Sequence, residues 1–163
     1  FHLLSIQLII ARKVKMYKIH DFVIVNDYHV YQVVQVNQFY YILSSLINTH
    51  TINVDSTSII KKVPSIDNIN EVIERIPYIR TLQIENDRFR QEIYQKTIAT
   101  FDEIDLIKII KSVYIRKKRK ENHSYENKYY QLAKNLFHEE VAASLNMQIK
   151  DVEDYISKKV LEF

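Results

Sequence analysis

The sequence predicts an α+β protein: a small N-terminal bent sheet or β-barrel, then an all-α bundle of about five helices. Three observations carry this. Before Pro64 the chain runs in short stretches of β-branched and aromatic residues. After Pro64 the apolar residues recur at helical spacing. The length, 163 residues, suits one ordinary domain or two small ones. The expected division is 1–15 as a leader or N-terminal extension, 16–64 as a β-rich domain and 65–163 as a helical domain.

Taken in order, "FHLLSIQLIIARKVK" comes first. Its apolar run is half the length of about twenty residues that a bilayer requires. Its basic residues follow the apolar run, whereas a secretory signal puts them first. It reads as a translated leader ahead of a start at Met16; an added strand or an interfacial segment is the other reading. "FVIVNDYHVYQVVQV" and "FYYILSSLI" then read as strands broken at Asn-Asp and Asn-Gln, and "HTINVDSTSIIKKV" as one or two more. Several short strands in so few residues imply strong bending. There is no glycine, so Asn26, Asn37, Asn48 and Asn146 are expected at the turns that need a left-handed backbone.

Ile66, Ile69, Val72, Ile73 and Ile76 define the first helical face, with Ser65 placed to cap it and Pro77 to end it. The second helix is expected from about Leu82 to Ile98, burying Phe89 and Ile93. Thr100 and Glu103 have the spacing of a capping box for a third helix through Ile104, Ile107, Ile110 and Tyr114. Ser124 is the expected cap of a fourth helix, which turns Tyr129, Leu132, Ala133, Leu136 and Val141 inward. Asn146 ends it, and a short fifth helix holds Val152, Ile156 and Val160.

Several function classes are excluded or unsupported. Without cysteine there is no disulfide, zinc–thiolate site or Cys nucleophile, and without glycine there is no Gly-rich phosphate loop. "HEE" at His138–Glu140 lacks the second histidine of a zincin motif. The acidic Asp102, Glu103 and Asp105 suit the start of a helix. No catalytic residue, metal or cofactor is expected, and the chain is not read as an enzyme.

Charge is unevenly spread. The whole chain carries +3, but residues 106–138 hold nine basic and two acidic residues. Arg116, Lys117, Lys118, Arg119 and Lys120 are consecutive, with Tyr114, Tyr125, Tyr129 and Tyr130 on either side. Two readings stand. Concentrated positive charge is the footprint of a polyanion contact. It is also an ordinary solvated helix end, because five adjacent residues wrap the whole circumference and cations favour a helix C-terminus.

The order of "MYKIHDFVIV", "YYILSSLINTHTINV", "NDRFRQEIYQKT", "LIKIIKSVYIRKKRK", "ENKYYQLAKNLFHEEVA" and "LNMQIKDVEDYI" resembles the CarD/CdnL family of bacterial transcription regulators. The resemblance implies a Tudor-like N-terminal module, similar to the RNA-polymerase-interacting domain of transcription-repair coupling factors. It implies docking on the polymerase β subunit through a strand edge containing Ile52, Asn53 and Val54. It also implies phosphate contacts with promoter DNA from Arg88, Arg90, Arg116, Lys117, Lys120 and Lys128. The family carries a minor-groove wedge tryptophan. This chain has no tryptophan, and the matching position is Glu85. It departs from the family at "VNDYHV", at the short Asn37-Gln38 turn and at Asn53, where a basic residue is common. A cytoplasmic monomer that favours the open promoter complex is the implied whole, with no membrane partner. The alternative is an interaction module that has lost DNA engagement.

Overall fold

The computed structural model describes residues 16–161, so the leader reading of 1–15 lies outside it. The described chain is α+β, with two compact units that divide after Lys62.

The first unit is one antiparallel sheet: β1 (Phe22–Val25), β2 (His29–Val36), β3 (Tyr41–Ser45), β4 (Thr51–Val54) and β5 (Ile59–Lys62). The spatial order is β4-β3-β2-β1-β5, which leaves β4 and β5 as the edges. Register shifts at Ile24/Val25 and Val33/Gln35 supply the expected bending. Alternation then gathers Val23, Val25, Tyr31, Val33, Tyr41, Leu43 and Ile59 on one side, with Tyr17 edge-on to Tyr41. Ile52 and Val54 pack onto the same cluster.

The turns depart from expectation. Of the four asparagines, only Asn146 has a positive φ, 53°. In the β1–β2 turn it is Tyr28 that has φ 65°, while Asp27 accepts from the His29 N–H and the Tyr31 hydroxyl. An aspartate side chain that satisfies the turn's donors lets a neighbour take the left-handed conformation.

The second unit has helices α1 (Ile66–Arg75), α2 (Arg90–Ile98), α3 (Glu103–Lys118), α4 (Ser124–Leu145) and α5 (Ile149–Leu161). Ser65 caps α1 as expected, accepting from the Asn68 N–H, and a single turn over Ile76–Tyr78 follows at Pro77. Ile69 and Ile73 are buried, but Ile66 is exposed. α2 starts eight residues later than expected. The Leu82 N–H is taken by the Ser112 hydroxyl of α3, and Asn86 caps a short turn over Asp87–Phe89. Phe89 is therefore exposed and Ile93 half-buried, while Tyr94 is fully buried.

Asp102, not Thr100, caps α3. Its carboxylate accepts from the Ile104 and Asp105 N–H groups, and the Thr100 hydroxyl donates to Asp105. The α3 core stripe is Leu106, Ile109 and Val113 with Ile107; Ile104 and Ile110 are half-buried and Tyr114 is exposed. At α4 the cap position belongs to His123, and Ser124 is the first helical residue. Tyr129, Ala133, Leu136 and Val141 are buried, with Leu132 half-buried. Val152 is the buried residue of α5, and the Tyr155 hydroxyl donates to Asn70 of α1.

Candidate nucleic-acid interface

One carboxylate organises the basic end of the helical unit. Glu126, in the first turn of α4, is fully buried. One of its oxygens accepts from the Tyr94 hydroxyl at 2.6 Å and from Arg116 Nε at 2.8 Å. The other accepts from the His123 backbone N–H at 2.6 Å and from Arg116 Nη2 at 3.3 Å. The same Nη2 donates to the Glu121 carbonyl. A single anion thus joins α2, the end of α3, the loop after it and the start of α4.

Asp87 is the outer partner. It accepts from Arg90 Nε at 2.6 Å, lies 3.1 Å from His123 Nε2 and 3.8 Å from Arg116. The His123 ring stacks on Tyr125 with centroids 5.6 Å apart. The turn that carries Arg88 is therefore held against the start of α4.

The ionisation of these groups follows from the contacts. Burial raises the Glu126 pKa, but hydrogen bonds from Arg116, Tyr94 and the His123 backbone outweigh it and hold the carboxyl below its usual range. Burial, and then the bond to Glu126, push the Tyr94 hydroxyl far up, so it stays a neutral donor. Hydrogen bonds from Arg90 and His123 lower Asp87.

The six expected cationic contacts separate accordingly. Arg90 is 9% exposed, and Arg116 is paired inside the network. Lys117 lies over the Tyr130 ring, 4.2 Å from its centroid. Arg88, Lys120 and Lys128 are exposed. Arg88 lines a shallow depression with Gln91, Ser124 and Tyr125, and Lys128 follows Ser124 by one helical turn. Lys120, with φ 56°, closes the end of α3. The segment Glu126-Asn127-Lys128 lies in the first turns of α4. Glu85 is exposed on the irregular stretch before Asp87. Tyr129 is core, as its spacing implies.

The sequence of the CarD C-terminal domain family matches residues 72–157, more than half of the chain. This chain belongs to the CarD family. The match begins in α1 and ends in α5, so it covers the Glu126 network and every exposed cation named above. No curated protein matches the sequence.

In this CarD-family chain, sequence reasoning missed Tyr94 and Glu126 as organisers, and it missed Arg119. Arg119 lines a polar cavity of about 160 Å³ with Arg90, Arg116, Ser112 and Glu121. A signal for Glu126 was present: it stands three residues after the helix cap, where Glu reaches back to the cap N–H. No local signal pairs it with Arg116 or Tyr94.

On the sheet, β4 is an edge strand. Ile52 and Val54 turn toward the core, and Asn53 is exposed. The three residues therefore do not present side chains together; a partner would meet the backbone edge and Asn53. Among the described residues no helix is long and apolar enough to cross a membrane.

Proposed function

We propose that this chain is a CarD-like transcription regulator without enzymatic activity. It docks on the β subunit of RNA polymerase through its sheet and lays the helical unit on promoter DNA, which favours the open complex in the cytoplasm. The observation that carries the reading is the family match over the region that leaves Arg88, Lys120 and Lys128 exposed. Differential affinity for the open complex is the only way such a protein shifts the equilibrium.

The edge of β4 suits docking by strand addition, in which backbone groups supply affinity and outward side chains supply choice. Thr51 and Asn53 are the exposed side chains of that strand. The DNA contact is electrostatic. Of the six expected contacts, Arg88, Lys120 and Lys128 are the exposed ones, and if these three neutralise phosphates the log–log salt slope of duplex binding is expected near about −2.7. Sequence discrimination is small, because phosphate contacts carry no base information.

The experiment has two arms with the full chain. Co-purification with core polymerase tests docking, and Asn53→Arg is expected to tighten it. Titration of closed and forked promoter duplexes at several salt concentrations tests DNA contact. Failure of the first arm with folded protein removes the polymerase assignment. A second reading, a protein-binding module without DNA engagement, is favoured by Glu85: an exposed carboxylate stands where the family has its wedge. It prevails if duplex binding is absent even at low salt. Under the first reading, Glu85→Trp adds preference for the fork, since a wedge gains most where bases are already unstacked.

A further inference from the structure

A second feature of the helical unit is lined by none of Arg88, Lys120 and Lys128. Ile76, Ile107, Ile110, Phe137 and Ile156 line a mostly apolar cavity of about 200 Å³ between α3, α4, α5 and the end of α1. An apolar protein cavity of about 150 Å³ accepts benzene, so this volume admits one ring or a short branched chain.

Its polar lining is selective. Lys111 reaches across from α3, and its ammonium donates to the Ile76 carbonyl at 2.8 Å and the Ile79 carbonyl at 2.6 Å. An ammonium has three donors, so one N–H is left over in a half-buried setting. Lys134 and Glu153 also line the cavity and pair with each other at 3.5 Å. His138 lines it too, and burial first, then Lys134, lower its pKa, with Glu153 acting the other way; it is neutral at pH 7. The lining then carries two ammoniums against one carboxylate. An uncompensated cation beside apolar walls is stabilised by an anion that brings its own apolar part.

We propose that this cavity binds a small monoanionic organic acid, with its ring or branched chain among the isoleucines and Phe137 and its carboxylate on Lys111. The site is independent of the polymerase and DNA reading and stands or falls without it. Pockets of this kind, apolar with a few convergent polar groups, are the usual form of small-molecule sites.

The test is a titration of the full chain with benzoate, and with benzamide as its uncharged counterpart, followed by backbone amide and His138 imidazole NMR shifts. Saturable benzoate shifts at Ile107, Ile110, Phe137 and Ile156 are expected, with benzamide at least tenfold weaker. The carboxylate also raises the His138 pKa, set against Lys111, Lys134 and Glu153 as its charged neighbours. Lys111→Met is expected to remove the preference for benzoate. Since Lys111 also holds two carbonyls, Ile156→Trp provides a separate arm: it fills the cavity, leaves the charges in place and is expected to weaken benzoate at least tenfold. Equal affinity for the two probes, shifts that map to Arg90, Arg116 and Arg119 instead, or no saturation at all would each overturn the proposal.

Discussion

Two sets of cations share the basic end of the helical unit. Arg90 and Arg116 are committed to Asp87 and Glu126. Arg88, Lys120 and Lys128 face solvent, each within four residues of Asp87, Arg116 or Glu126. A count of basic residues therefore overstates the charge offered to a polyanion. The inner pair holds four segments together, and the outer set is displayed on the frame that results. Arginine suits position 116 for a physical reason: its planar fork of donors bonds both oxygens of the Glu126 carboxylate and the Glu121 carbonyl at once.

The two sets are expected to respond differently to mutation. Arg116→Met leaves Glu126 buried and charged without its cation, so unfolding free energy is expected to fall by about 3–5 kcal/mol in a denaturant titration. Tyr94→Phe removes one donor from the same carboxylate and keeps the ring packing. Its expected cost is about 1–3 kcal/mol by the same measurement, since hydrogen bonds to charged groups are the stronger kind.

The folded Glu126 pKa lies below its unfolded value, so the unfolded chain binds more protons in that range. The stabilisation from this group is complete above its ordinary pKa of 4.5 and is lost as pH falls through the depressed one. Glu126→Gln is therefore expected to flatten the acid limb of the stability–pH curve relative to the parent protein. An unchanged limb would mean that the network does not hold the carboxylate in its charged form.

The smallest effect on stability belongs to the outer set. Arg88→Glu with Lys128→Glu is expected to change unfolding free energy by no more than about 0.5 kcal/mol. The same pair is expected to weaken binding to all duplexes alike and to flatten the salt slope by about 1.8. A loss of stability comparable to that of Arg116→Met would show that no division between scaffold and display exists.

Much of the architecture follows from the sequence by itself. The switch from strand texture to helical spacing near Pro64 is a local property, and so are the Ser65 cap, the stop at Pro77 and the left-handed Asn146. Each rests on residues within a turn of one another, which is the range over which side-chain shape and hydrogen bonding bias the backbone. The family resemblance is legible for the same reason, because an ordered series of local patterns survives in one chain.

Other features were decided only in three dimensions. The Ser112 hydroxyl takes the Leu82 N–H across 30 residues, and the stretch that looked like the start of a helix is held irregular. Tyr94 and Glu126 meet across 32 residues, and neither announces the other in sequence. Arg88 and Arg90, two apart, look equivalent as letters. Their different roles depend on how the Asp87–Phe89 turn and α2 pack, because residues two apart on a helical backbone point to opposite sides and packing decides which of them is inward. Burial and pairing are properties of the packed chain, so the division between inner and outer charge was fixed by the tertiary fold alone.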